Sequence, residues 1–310
     1  MVQRVLTLVL FLALFGPGAA RGQTIDDGVM MPKGDLFVGG FYTHDSWSEY
    51  WEGELKRDNG NIGTLTTETN TWFANYGLTR RINIIGSLPY VWTDASQGVL
   101  HSMQGVQDLV LAGKFSLVDR ASTPIGDVKA IAVGFAGIPL TDYTPDFQPL
   151  SIGLGSRRFG ARFIFNAQTS PGWFANGSTA YTWRSDVTLD RPYYFTDNQF
   201  FMTSDVDMSN LYDYVASAGY MKHDRMFAFE LSQQWTLGGG DIRRQDMPFV
   251  SNRMDFTRVG GMAMVPIPKI ESFAVRASYD YTVHGRNVGQ AHTFTVGLLY
   301  RFRFIERSAK

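Results

Sequence analysis

The stretch from Ala291 to Phe304, AHTFTVGLLYRFRF, alternates between two kinds of side chain. Phe294, Val296, Leu298, Tyr300, Phe302 and Phe304 fall on one face of an extended strand. Thr293, Thr295, Gly297, Arg301 and Arg303 fall on the other, interrupted only by Leu299. Successive side chains of a strand point to opposite sides, so this strand has one greasy wall and one wet wall. Two surroundings suit it. One is a soluble sandwich, where the greasy face meets a second sheet; the other is a membrane wall whose aromatics meet lipid while the arginines turn inward.

The start of the chain favours the membrane. Arg4 precedes the apolar run Val5 to Phe15, and Ala20-Arg21-Gly22 offers the small residues that a signal peptidase reads, so residues 1–22 are expected to be a cleaved secretory signal. That run is well short of the roughly 20 residues that cross a bilayer as a helix. The 310 residues include no cysteine. An exported chain without disulfides must draw stability from a large core or from a sheet closed on itself. A net charge of −1 lacks the basic excess that phosphate-backbone binding requires, which argues against a nucleic-acid partner. After residue 22 no stretch is long and apolar enough to be a membrane helix, so any crossing must be made by strands.

Period-2 alternation marks twelve segments, at about 35–43, 71–79, 81–92, 107–118, 128–138, 156–167, 173–184, 211–221, 225–236, 253–265, 272–283 and 291–304. Most exceed the usual globular strand of five or six residues and match a tilted membrane crossing. In 225–236, Phe227, Phe229, Leu231 and Trp235 alternate with Ala228, Glu230, Ser232 and Gln234; in 272–283, Phe273, Val275, Ala277, Tyr279 and Tyr281 alternate with Ser272, Ala274, Arg276, Ser278 and Asp280. The connections alternate long and short, as in an outer-membrane barrel with long extracellular loops and short periplasmic turns. The expected organisation is a periplasmic N-terminal segment at 23–34, an all-β, closed antiparallel transmembrane barrel of about twelve strands at 35–304, and a tail at 305–310.

Several turn and strand-end motifs resemble the proteobacterial outer-membrane family labelled "MetA-pathway of phenol degradation". They are Tyr76-Gly77-Leu78-Thr79-Arg80-Arg81-Ile82 followed by Leu88-Pro89-Tyr90, Gly105-Val106-Gln107-Asp108-Leu109 leading to Gly113-Lys114-Phe115, Gly137-Ile138-Pro139-Leu140, Ser151-Ile152-Gly153-Leu154-Gly155-Ser156, and Gly285-Arg286-Asn287. The chain departs from the family pattern at Gln107, where a glycine is usual, and in carrying Ile305 to Lys310 beyond the closing aromatic. The resemblance implies an outer-membrane transporter and names no cargo.

Catalytic, metal and cofactor motifs are weak. The five histidines, at 44, 101, 223, 284 and 292, lie in loops, turns or strand ends without metal-ligand spacing. His101-Ser102 lacks the spacing of the outer-membrane phospholipase motif. Gly153-Leu154-Gly155 lacks the third glycine of a dinucleotide loop, and Asn176-Gly177-Ser178 falls within a strand. No catalytic, cofactor or metal role is assigned.

Charges inside the strands carry more. With the aromatic faces toward lipid, Asp108, Lys114, Arg158, Arg162, Asp213, Glu230, Arg276, Asp280, Arg301 and Arg303 are expected to line the lumen, because a charge at the lipid midplane costs about 2–4 kcal/mol. They form either a bracing ladder of cross-strand pairs or a selective eyelet. Arg258 does not fit the apolar phase of Met254, Phe256 and Met262, which points to a bulge there or to a different register of the strand. Loop 44–70, with Trp47, Tyr50 and Trp51, and segment 23–34 are expected to narrow or gate the path. The sequence thus reads as a passive bacterial outer-membrane channel for small, aromatic or other hydrophobic molecules. Its expected partners are outer-membrane lipid, the barrel-assembly machinery at the C-terminal strand and the solute. A structural or adhesive barrel presenting loops 44–70 and 185–210 is the alternative, and a lipid-processing enzyme the third reading.

Overall fold

A computed structural model describes residues 24–304 except 125, 223, 224, 245, 269 and 271. The expected signal at 1–22 and the tail at 305–310 lie outside the described residues. Twelve strands form the wall: β1 (Asp35–Trp47), β2 (Leu65–Gly77), β3 (Ile82–Ala95), β4 (Asp108–Thr123), β5 (Gly126–Pro139), β6 (Arg158–Gln168), β7 (Trp173–Arg184), β8 (Leu211–Lys222), β9 (Arg225–Thr236), β10 (Asp255–Pro266), β11 (Phe273–Arg286) and β12 (His292–Arg303). Each pairs antiparallel with the next, and β12 pairs back onto β1 from Asp35↔Arg303 to Ser46↔His292, so the sheet is closed. Connections 78–81, 124–125, 169–172, 223–224 and 267–272 lie at one rim, and 48–64, 96–107, 140–157, 185–210, 237–254 and 287–291 at the other. By loop length the first rim is periplasmic.

All twelve expected strands are present, with one systematic difference. β1 and β2 run further outward than their alternation indicated, pairing through Trp47↔Leu65, so the expected loop 44–70 contracts to 48–64. The reason lies in the outer halves of both strands, where His44, Thr66, Glu68 and Asn70 occupy the outward face. Without an apolar face the period-2 signal disappears while the hydrogen-bonded ladder continues.

The outward face is greasy elsewhere. Phe229, 82 % exposed, stands beside Phe227 and Leu231 on β9, and Phe159, Phe163 and Phe165 line β6. Such exposure is tolerable where lipid replaces water. Aromatics gather at both rims: Phe159 stacks on Trp183, which meets Tyr181 and then Tyr212 near the outer rim, while Trp173–Tyr220 and Phe273–Tyr300–Phe302–Phe304 lie near the inner one. These are the interfacial girdles of an outer-membrane barrel.

A bulge does occur beside Arg258, as a register shift against β11 between Thr257 and Arg258. Arg258 nevertheless shares the inward phase of Met262 and Met264, bonding Thr282 Oγ1 at 3.2 Å. Met262 is therefore an interior residue, packed on the apolar cluster described next.

Two apolar clusters line opposite halves of the inner surface. One joins Phe37, Phe174, Met226, Met264, Ala274 and Leu299, from β1, β7 and β9–β12, around Met31. The other joins Ile85, Ala112, Ile131, Val133 and Ile164, from β3–β6, with Ile25 and Met30 packed against it. Because one short segment touches both half-walls, residues 25–31 sit inside the barrel. The chain leaves through Pro32 and turns into β1 at Gly34, whose φ of 78° suits glycine and whose N–H bonds Gly77 O at 2.8 Å.

The register places Val296 on the lipid face between Tyr42 and Ala277. Val296→Arg is expected to cost about 2–4 kcal/mol of barrel stability. Loss of the heat-modifiable gel band checks this; a normal band would mean the face is misassigned.

Candidate functional site

The lumen is occupied by the N-terminal segment, and its attachment is built around Lys114. The Lys114 side chain is fully buried on the inward face of β4. Its ammonium donates to the carbonyls of Thr24 at 2.9 Å, Asp27 at 2.8 Å and Val29 at 2.9 Å, and reaches Asp27 Oδ1 at 3.1 Å. Asp27 Oδ1 also accepts the Val29 N–H at 2.9 Å, bending the segment into a short loop around the cation. Isolated burial of an ammonium is costly, and here a ring of oxygens offsets that cost. Asn176 of β7 donates to Asp26 O at 3.0 Å. Gly28 lies so close to Asn166 of β6 that an added Cβ would fall 2.3 Å from the Asn166 Cβ. Only a residue without a side chain fits there.

The other charges with inward phase fall into four groups. Arg162 is buried on β6, bonds Ser178 at 2.8 Å and pairs with Asp213 on β8, bracing three adjacent strands. Arg158, nearer the outer rim, reaches Asp108 at 3.5 Å, and Asp108 accepts the Tyr143 hydroxyl at 2.7 Å. Burial first, and then this carboxylate, push the Tyr143 phenol above its ordinary pKa. At the inner rim buried Arg301 bonds Asp35 at 2.9 Å across the β12–β1 closure. Arg303 shares that phase but is exposed at the strand end, so the structure does not gather it with the others.

Glu230 on β9 and Asp280 on β11 flank Gly260, and Arg276 on β11 lies in register with Met264, 6.0 Å from the Phe41 ring centroid. Asp280 Oδ1 lies 2.0 Å from where a Gly260 Cβ would stand. Alternation in the strands could place these wall residues. It carried no signal for Asp26, Asp27 or Lys114's carbonyl partners, because an irregular segment has no period and carbonyls carry no side-chain code.

At the outer rim, Trp47 ends β1 and lies 6.2 Å from Tyr50. Tyr50 and Trp51 belong to a small hairpin, Glu49–Glu52 with Leu55–Asp58, that docks on the 287–291 turn. Trp51 is buried there, its N–H bonding Val288 O at 2.9 Å and its ring 6.2 Å from His284, so it packs against the rim. Asp241 takes two bonds of 2.8 Å from Arg286 and one of 2.8 Å from Asn287, whose Oδ1 accepts the Gly53 and Ile242 N–H groups. Loops 48–64 and 237–254 and the end of β11 thus share one clamp. The Arg286 hydrogen bonds hold the Asp241 carboxyl below its usual range. Its stabilising effect is therefore present above the ordinary carboxylate pKa and lost only as pH falls through the depressed value.

Two cavities open among these loops, one of about 390 Å³ beside Asp146, Arg191 and Phe249 and one of about 280 Å³ beside Trp47, Tyr50 and Met254. Elsewhere, the His101 ring lies 4.7 Å from Phe147, and the Ser102 hydroxyl donates to the Asp94 carboxylate at 2.6 Å. Among the described residues, no group of three His, Cys, Asp or Glu is placed to hold a metal ion.

Residues 58–302 match the family described as "Putative MetA-pathway of phenol degradation". Among solved structures, an outer membrane channel from Pseudomonas putida F1 superposes with a TM-score of 0.70 at 16% identity, covering 92% of this chain and 100% of that one. The NanC porin gives a TM-score of 0.46 at 10% identity over 86% and 98% of the two chains. The first of these likenesses shows the fold of an outer-membrane barrel. Among curated proteins none matches.

Replacing Lys114 by methionine keeps most of the apolar stem and removes the cation that gathers three carbonyls. The segment should then leave the wall more often, and single-barrel conductance in planar bilayers should be larger and noisier than in the parent. Identical traces would mean that Lys114 does not hold the segment.

Proposed function

The chain belongs to the family described as "Putative MetA-pathway of phenol degradation", and on that premise we propose that it is a passive outer-membrane channel for small aromatic or other hydrophobic molecules. One observation carries the reading. What occupies the middle of the lumen is a separate segment, residues 24–31, attached by side-chain contacts and outside the sheet ladder. A barrel of twelve strands is wider than the eight whose own side chains fill the interior. A wall with no traffic could fill that space with larger inward side chains, whereas a segment held by discrete bonds can shift without opening the wall.

The wall's chemistry supports a cargo with apolar surface. Next to the segment the interior is lined by Phe37, Phe174, Met226, Met264 and Leu299 on one side and by Ile85, Ile131 and Ile164 on the other. Two inward ion pairs, Arg162 with Asp213 and, nearer the outer rim, Arg158 with Asp108, neutralise charge along the path. A lumen of balanced sign and greasy constriction favours small solutes of low charge over strongly hydrated ions. The Pseudomonas protein is named an outer membrane channel, which agrees with passage through this fold.

Deleting residues 24–31 should raise conductance in planar bilayers and speed phenol entry into cells expressing the barrel. Equal phenol entry in cells with and without the protein, together with silent bilayers for both forms, would leave a structural barrel as the reading.

A further inference from the structure

Resting on the channel reading, we propose that the 280 Å³ cavity at the outer rim is a recognition site for a small aromatic carboxylate, placed where solute first meets the protein. Part of its lining is aromatic and aliphatic. Trp47 and Tyr50 stand 6.2 Å apart, with Leu65 and Met254 beside them, and the volume suits one ring with a short substituent. Trp47 is set in place by Gly289, where an added Cβ would come 2.3 to 2.6 Å from the indole.

The same lining carries Arg243 and Arg244, with Asp246 as its acid. Arg243 is part-neutralised by Asp197 at 3.2 Å, while Arg244 is exposed and forms no ion pair with any described residue. A guanidinium presents paired donors that match the two oxygens of a carboxylate, and it does so without leaving water entirely. A ring against Trp47 and Tyr50 with its carboxylate turned to Arg243 and Arg244 therefore uses both the apolar and the cationic part of the lining. A neutral ring would fill only the apolar part and leave the arginines to solvent. The site lies at the outer mouth, bordered by Leu65 and Thr67 of β2, and uses none of the contacts that hold residues 24–31.

The test uses the purified full-length barrel, with benzoate and its neutral counterpart benzyl alcohol as probes in titration calorimetry. Benzoate should bind saturably and more tightly than benzyl alcohol. Arg243→Ala/Arg244→Ala should weaken benzoate about tenfold and leave benzyl alcohol unchanged. Gly289→Ala, which displaces Trp47, should weaken both. A heat-modifiable gel band verifies that each variant is folded, and KCl conductance reads the channel separately. Benzoate that binds no better than benzyl alcohol, or equally well to the arginine variant, overturns the site, and intact conductance in that case leaves the channel standing. Arginine-dependent benzoate binding in a barrel that neither conducts KCl nor speeds phenol entry supports the site and removes the channel reading on which its role rests.

Discussion

In hydrocarbon an unpaired backbone N–H or C=O has no partner, so everything in this molecule depends on the ladder between the first strand and the last. β1 meets β12 through an unbroken register from Asp35↔Arg303 to Ser46↔His292, and that pairing removes the two edges the meander would otherwise expose. At the inner end the closure is reinforced by Arg301 bonding Asp35, both nearly fully buried. At the outer end the small hairpin beside β1 docks on the turn between β11 and β12, so the seam is covered where its strands leave the membrane. The alternation of greasy and wet side chains follows from the same constraint, since a closed wall has one side in lipid and one away from it.

Closure creates the second problem, an interior too wide for wall side chains to fill. The chain meets it with its own N-terminal residues. Met31, Met30 and Ile25 complete apolar surfaces on opposite half-walls, and Lys114, Asn166 and Asn176 hold the backbone between them. The bonding is asymmetric. Lys114 is a single buried cation satisfied largely by main-chain oxygens, so the segment and the residue depend on each other: without the segment, a charge faces an apolar wall; without the charge, three carbonyls lose a shared donor. The outer loops are clamped independently through Asp241, Arg286 and Asn287. The lumen segment and the outer mouth are therefore separable parts of the path.

Much of the wall was legible in the sequence, because the lipid–lumen difference is written residue by residue in β9, β11 and β12. The outer half of β2 was not, since Thr66, Glu68 and Asn70 give it polar residues on the outward face. Arg303 keeps the inward phase, yet beyond the rim there is no inside for it to face. Trp51, an aromatic in an apparent loop, has the composition of a mobile flap and the burial of a packed anchor; only tertiary contact with the 287–291 turn separates the two. Inward placement of Lys114 followed from the cost of charge in lipid. That its partners are the carbonyls of residues 24–29 did not, because those contacts join distant parts of the chain through atoms every residue shares.

The central claim is that residues 24–31 sit on Lys114 inside the closed barrel, and lysine acylation with mass-spectrometric readout tests it most directly. In the folded barrel, Lys114 should resist a water-soluble acylating reagent that modifies exposed Lys56, and it should become reactive when residues 24–31 are removed. Acylation of Lys114 at the same rate with and without the segment would contradict the account.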